Sequence, residues 1–162
     1  MPPRWERVRR TKKGTFRLDI PKEERFVLSR LPDELRELFA SDDPTLERLF
    51  PPAHPDDPEQ QERFRELVSE QLMTDRLAAL RTMEETLEKP EIDEEQLTAW
   101  LTTINDLRLV LGLRLEVTQD LDLEAIPDTH LDARTYALYG YLGWLESQIV
   151  DALAEGLEEP GD

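Results

Sequence analysis

Apolar residues along the chain fall into helical registers, and the strongest of these runs from Leu97 to Val117, LTAWLTTINDLRLVLGLRLEV. Leu97, Trp100, Leu101, Ile104, Leu107, Leu111 and Leu115 recur every three or four positions, while Leu109, Val110 and Leu113 widen the stripe beyond the single face of a surface helix. The pattern predicts a central helix buried on two sides. Its start is marked by Asp93 as cap and Gln96 as the second half of a capping box. Ile92 is placed to staple onto Leu97, and Pro90 lies just upstream.

The flanking segments predict the elements that cover it. Phe16, Leu18 and Ile20 alternate with polar residues after a Lys-Lys-Gly turn, which predicts a β-hairpin, or one strand and a ragged arm, over residues 1–20. Such a hairpin is marginal by itself, so it must lie on the helices or pair with another copy. From Pro21 to Ala40, the residues Val27, Leu31, Leu35, Leu38 and Phe39 keep one register straight through Pro32, predicting one kinked helix. DDPTLERLF, with Asp43 as cap and a stop at Pro51-Pro52, predicts a helix of about two turns. Asp57 and Gln60 repeat the capping-box pattern and open a long helix with the stripe Phe64, Leu67, Val68, Leu72, Leu77, Leu80, Met83 and Leu87.

Beyond the central helix, Leu121, Leu123 and Ile126 are spaced like an extended segment lying over apolar surface. The last helix is predicted from about Leu131 to Leu157, with Leu138, Leu142, Leu145, Ile149 and Leu153 on one face, followed by a frayed tail at 158–162. Gly140, Gly143 and Ser147 lie on another face of that helix, and Gly112 on the central one. These small residues predict a close helix–helix approach in which the two small-residue sites meet, and in which Gly112→Leu would overpack. The expected fold is mainly α: one domain over 1–162, a bundle of about five helices with a small N-terminal hairpin at its edge.

Length and composition narrow the function. A chain of 162 residues suffices for one domain without metals or disulfides. It has no cysteine, so it carries no disulfide framework, thiolate metal site or thiol redox switch of its own. The segment MPPRWERVRRTKKG lacks the apolar core of a signal peptide, and no later run approaches membrane-spanning length, so a soluble cytoplasmic protein is expected. The net charge of −17 is uneven, with +6 over residues 1–17 and −23 over the remainder. A negative body repels a phosphate backbone, which disfavours nucleic acid, and it suits solubility or a basic protein partner, the expectation being a solvated acidic surface. The basic arm is expected to pack against that body, the alternative being an arm that touches nucleic acid, though no aromatic stacking pattern accompanies its charges.

Candidate chemistry is sparse. Asp106 and Arg114 project from one side of the central helix with Val110 between them, charges on an apolar face. They read as a structural ion-pair network with Arg108, Arg134 or Glu146, the functional alternative being a polar pocket or a specificity pair at a subunit contact. His54 and His130 have aspartate neighbours but no H-x-x-x-H or Glu-x-x-His spacing. No serine sits in a nucleophile elbow, and the glycines never cluster into a phosphate loop. No catalytic, cofactor-binding or metal residue is therefore assigned, and the expectation is that the protein is not an enzyme. Tyr136, Tyr139, Tyr141 and Trp144 spread around the last helix, and both long apolar helices exceed one stripe, which predicts a homodimer against the opposition of the net charge.

INDLRLVLGLRLEVTQD at residues 104–120 resembles the signature of an actinobacterial family of small acidic helical proteins. The family has long been catalogued as a domain of unknown function and is also called AosR-like, for actinomycete oxidative-stress regulator. DPTLERLFPPAHPDD at 43–57, RLAALRTMEETL at 76–87 and YGYLGWLESQIVDAL at 139–153 extend the resemblance over nearly the whole chain. The resemblance implies a helical single domain without established catalytic residues, commonly encoded beside a Clp protease adaptor gene and a metallopeptidase gene. It also implies a regulatory role through a transcription or proteolysis component. The family's redox reading depends on a closely spaced cysteine pair, which this chain lacks, so thiol sensing is not carried over.

Overall fold

The computed structural model describes residues 5–49, 58–116, 120–130 and 132–158. β1 (Val8–Arg10) and β2 (Phe16–Leu18) pair antiparallel, Val8 opposite Leu18 and Arg10 opposite Phe16. The turn is closed by Gly14 N–H donating to Thr11 O at 3.1 Å, and Gly14 takes a left-handed φ of 86° that a side chain would resist. Alternation buries Val8, Phe16 and Leu18 and turns Arg9 and Arg17 outward. A third strand, β3 (Glu91–Ile92), pairs with β2, Ile92 opposite Phe16. It was not expected, since two residues offer no alternation to read.

α1 (Lys22–Phe39) continues through Pro32 and buries Leu28, Leu31, Leu35, Leu38 and Phe39. Val27, expected on this face, is partly exposed and Leu28 takes its place. Both lie three or four residues before Leu31, so periodicity cannot choose between them, and Val27 turns instead towards Leu138 and Tyr141. α2 (Thr45–Leu49) is shorter than the two turns expected; Asp43 Oδ1 caps it by accepting from Thr45 N–H at 2.9 Å. Pro51, Pro52, His54 and Asp57 lie outside the described residues.

α3 (Pro58–Thr86) meets the core mainly through Leu80, Met83 and Thr86, with Leu87 just beyond. Leu67 is 67% exposed and Leu77 is also exposed, which corrects the predicted stripe. At about 100° per residue Leu67 falls roughly 140° around the helix from Leu80, so the eight positions never formed one face. The side chain of Phe64 lies outside the described residues.

α4 (Glu94–Arg114) is the central helix, packed against both α3 and α5 (Ala133–Glu158). Its capping box forms as predicted: Gln96 N–H donates to Asp93 Oδ1 at 2.7 Å, and Asp93 N–H donates to Gln96 Oε1 at 2.9 Å. Trp100 is fully buried and its indole donates to Thr86 Oγ1 at 2.7 Å; that hydroxyl in turn donates to Thr82 O at 2.8 Å. The one polar atom of the largest core side chain is thus satisfied. Leu109 is exposed rather than part of the buried face, because α3 and α5 leave a seam of α4 open to water. Leu123–Ala125 form a single 3-10 turn instead of an extended segment, with Asp122 Oδ1 accepting from Glu124 N–H at 3.0 Å. Leu131, the expected start of the last helix, lies outside the described residues.

Two polar side chains fasten the sheet to the helices. Arg25 of α1 donates to Ile20 O at 2.9 Å, to Leu18 O at 3.0 Å and to Leu87 O. Gln148 of α5 accepts from Arg7 N–H at 2.6 Å and donates to Trp5 O at 3.2 Å, so a side-chain amide satisfies the backbone entering the edge strand β1. Gln148→Leu is expected to cost about 1–3 kcal/mol, since it strands one donor and one acceptor. Denaturant unfolding measures the loss, and faster amide exchange at Arg7 would locate it. Among the described residues, no helix is long and apolar enough to cross a membrane.

Candidate functional site

The charges that the fold withdraws from water cluster at three helix contacts. At the first, Asp106 of α4 is only 2% exposed and accepts from Arg76 Nη1 of α3 at 2.6 Å. Burial pushes its carboxyl up to about 6, with Arg76 pulling the other way through its charge and its hydrogen bond. The predicted partners Arg108, Arg134 and Glu146 do not reach it. Arg114 is exposed at the end of α4, where its charge acts on Asp43, so Asp106 and Arg114 do not form the shared face expected from their spacing. Asp43 itself is held below the usual carboxylate range, chiefly by its hydrogen bonds with Thr45. Nearby on α4, Thr103 Oγ1 is buried without a hydrogen-bond partner.

At the second contact, Arg108 of α4 donates to Glu146 Oε2 of α5 at 2.7 Å and lies 5.0 Å above the Tyr139 ring. Burial opposes the guanidinium charge, but Glu146 and Tyr139 outweigh it and hold the group above its ordinary value. The glycines explain how the pair fits. A Cβ on Gly143 would lie 3.1 Å from Arg108 Nε, and a Cβ on Gly112 would lie 3.4 Å from Tyr139 Cε2. The small-residue sites therefore do not meet each other. Each faces a long side chain of the opposite helix, and Gly140 faces Leu123, 2.9 Å from where its Cβ would be. Gly143→Leu is expected to displace Arg108 and cost about 1–3 kcal/mol, whereas Gly112→Ala fits at ordinary contact distance. Thermal melts of the two variants give the comparison, and equal stability would remove the claim.

The third contact joins the hairpin to α1 and α5. Arg7 donates to Glu24 with both Nε and Nη2, at 3.0 and 2.9 Å, and its guanidinium stands 5.2 Å over the Trp144 ring. The hydrogen bond with Glu24 raises the Arg7 pKa. Tyr141 Oη is buried beside Glu24 without a hydrogen bond of good geometry, and burial pushes its hydroxyl well up, with Glu24 adding to the effect. A cavity of about 340 Å³ opens here, lined by Glu23, Glu24, Val27, Arg134, Ala137, Leu138 and Tyr141. Part of the basic arm thus packs on the acidic body, as expected, while Lys12 and Lys13 stay exposed at the hairpin turn. The aromatic residues of the last helix that suggested a dimer are all half-buried within the chain, Tyr136 standing edge-on to His130.

Arg7, Glu24, Arg25, Arg76 and Gln148 were missing from the sequence reading. Their partners lie on other elements, and no periodicity connects residues 76 and 106. Of the histidines, His130 is described: its Nδ1 accepts from Asp132 N–H at 3.0 Å, closing a turn. Among the described residues, no group of three or more His, Cys, Asp or Glu is arranged to hold a metal ion.

Residues 4–153 match the sequence profile of a family described as Domain of unknown function (DUF2017). The chain belongs to this family. The resemblance read from four separated segments is borne out over the same span. This DUF2017 chain is also similar to a protein of Mycobacterium leprae (strain TN) that carries the provisional name oxidative stress regulator AosR, 30% identical over 129 residues. The aligned stretch covers 69% of this chain and 59% of that protein's own length. No solved structure matches.

Proposed function

We propose that this DUF2017 chain is a non-catalytic, cytoplasmic regulatory module that works by binding another protein, a component of stress-responsive transcription or of Clp proteolysis. The supporting observation is the use of its buried and half-buried charges: Asp106, Arg108, Glu24 and Arg25 each bind a neighbouring element and serve the fold. His130, the described histidine, is occupied in a turn. The described surface carries many acidic side chains, fewer basic ones and several large apolar ones, material for recognition rather than for bond-breaking. The name of the mycobacterial relative points to regulation. A thiol switch forms no part of the proposal, because the chain has no cysteine.

Affinity capture from native extract with the full chain tests this reading, and a partner protein retained in proportion to the bait is the expected result. Two other assays make rivals visible. Tight duplex-DNA binding that falls steeply with salt and disappears on deleting residues 1–13 would favour a nucleic-acid regulator. Turnover in an esterase, phosphatase and peptidase panel that is lost in His54→Ala or His130→Ala would favour an enzyme.

A further inference from the structure

We infer that the groove between the start of α4 and the end of α5 docks a basic amphipathic helix of a protein partner. This rests on the protein-binding reading above and deepens it.

Three observations carry the inference. First, the groove is apolar and open: a cavity of about 290 Å³ is lined by Glu94, Thr98, Val150, Leu153, Ala154 and Leu157. Val150 is 46% and Leu157 87% exposed, although the fold has apolar surface to bury elsewhere.

Second, the exposed apolar residues are spaced for a helical ligand. Val150 and Leu157 lie two turns apart, about 10 Å along α5. Gly112 facing Tyr139 and Gly143 facing Arg108 fix the antiparallel register, which puts Leu109, 46% exposed, about 12 Å beyond Val150 in the same seam. Anchors at such intervals match side chains that recur every second turn of a docked helix.

Third, the surroundings are acidic. Glu94, Glu95, Asp151 and Glu155 are exposed and have no ion-pair partner among the described residues. Glu94 and Glu95 suit a helix N-terminus. Glu155 lies near the C-terminal end of α5, where the Arg10 guanidinium of the hairpin packs at Gly156 and the last turn of α5 itself offers no basic residue. Four exposed carboxylates around one apolar groove fit recognition of Lys and Arg. The same charges oppose a second copy of this chain, which carries −17 as well.

The test uses the full chain and two labelled helical peptides with leucine at every second turn, one flanked by lysines and one by glutamates, followed by fluorescence anisotropy at low and moderate salt. The lysine peptide is expected to bind at least about tenfold tighter than the glutamate peptide, the gap shrinking with salt. Val150→Glu is the deciding variant. It adds negative charge, so a merely electrostatic attraction would strengthen; loss of about tenfold or more in lysine-peptide affinity assigns binding to the groove. Leu157→Glu, at a nearly fully exposed position, repeats the test should Val150→Glu melt early.

Unchanged or tighter binding in both variants, or equal binding of the two peptides, overturns the inference. So does a doubling of mass in sedimentation equilibrium that Val150→Glu abolishes, which would make a second copy the occupant. A partner captured from extract equally well by wild type and Val150→Glu would leave the regulatory reading standing and sink the groove alone.

Discussion

Arg25→Met is expected to lower stability by about 3–5 kcal/mol, a large share of what a domain of this size possesses. The guanidinium donates at once to Leu18 O at the end of β2, to Ile20 O at the entry to α1, and to Leu87 O just past α3. It therefore joins three chain segments, of which the end of β2 and the stretch past α3 are also linked by Leu18 N–H donating to Pro90 O at 2.8 Å. A hydrogen bond from a charged donor contributes about 1.5–3 kcal/mol net, and a stranded carbonyl adds its own penalty. Arg25 is only half-buried, which lets water take over part of the role and holds the total at the lower end of that sum. Methionine keeps the apolar stem, so the loss reports the polar contacts. Arg25→Lys keeps the charge but has one nitrogen for three acceptors and should recover less than half. Urea unfolding with an unchanged slope and a lowered midpoint is the expected outcome. A loss below about 1 kcal/mol, or a lysine variant equal to wild type, would show that the three bonds do not hold the segments together.

Arg25 also shows where the sequence stops being informative. Elements whose cause is local were legible: the Asp93–Gln96 box, the Lys-Lys-Gly hairpin turn and the helical run that becomes α4 all depend on residues within a turn or two of each other. The two-residue strand Glu91–Ile92 was not, since it exists only because Phe16 is there to pair with. The candidate residues divide in the same way. Arg108, Gly143 and Trp144 could be picked out as a polar, a small and an aromatic position on apolar helices, and each does lie at a packed contact. Their partners could not be chosen, because Arg134 and Arg76 are equally plain arginines on helical surfaces until the helices are placed. Asp106 was assigned to Arg108, Arg134 or Glu146, whereas the antiparallel packing of α3 on α4 brings Arg76 to it. Leu109 and Leu67 went wrong because a heavily apolar sequence fits more than one stripe, and only the neighbours that arrive decide which residues stay wet.

That Asp106–Arg76 contact leads to a pH dependence whose sign is opposite to that of an ordinary surface salt bridge. The Asp106 carboxyl is raised to about 6 by burial, against roughly 3.9 in an unfolded chain. Between these values the folded protein holds a proton that the unfolded chain has released, so stability falls as pH rises through this window. The contribution is fully present below the unfolded value and is lost as pH passes about 6. About two units correspond to a loss on the order of 3 kcal/mol between pH 4 and pH 7. The many exposed carboxylates have their own pH dependence, which is removed by comparing wild type with Asp106→Asn at each pH. Relative to wild type, the asparagine variant should gain on the order of 3 kcal/mol from pH 4 to pH 7, with most of the change between pH 4 and 6. Arg76→Met should act in the other direction: without the guanidinium the carboxyl retreats further from ionisation, and the falling limb extends above pH 6. Chemical denaturation across pH 4 to 8 gives both curves. A difference between wild type and Asp106→Asn that stays flat over this range would mean that Asp106 is ionised freely in the fold and that its burial costs nothing.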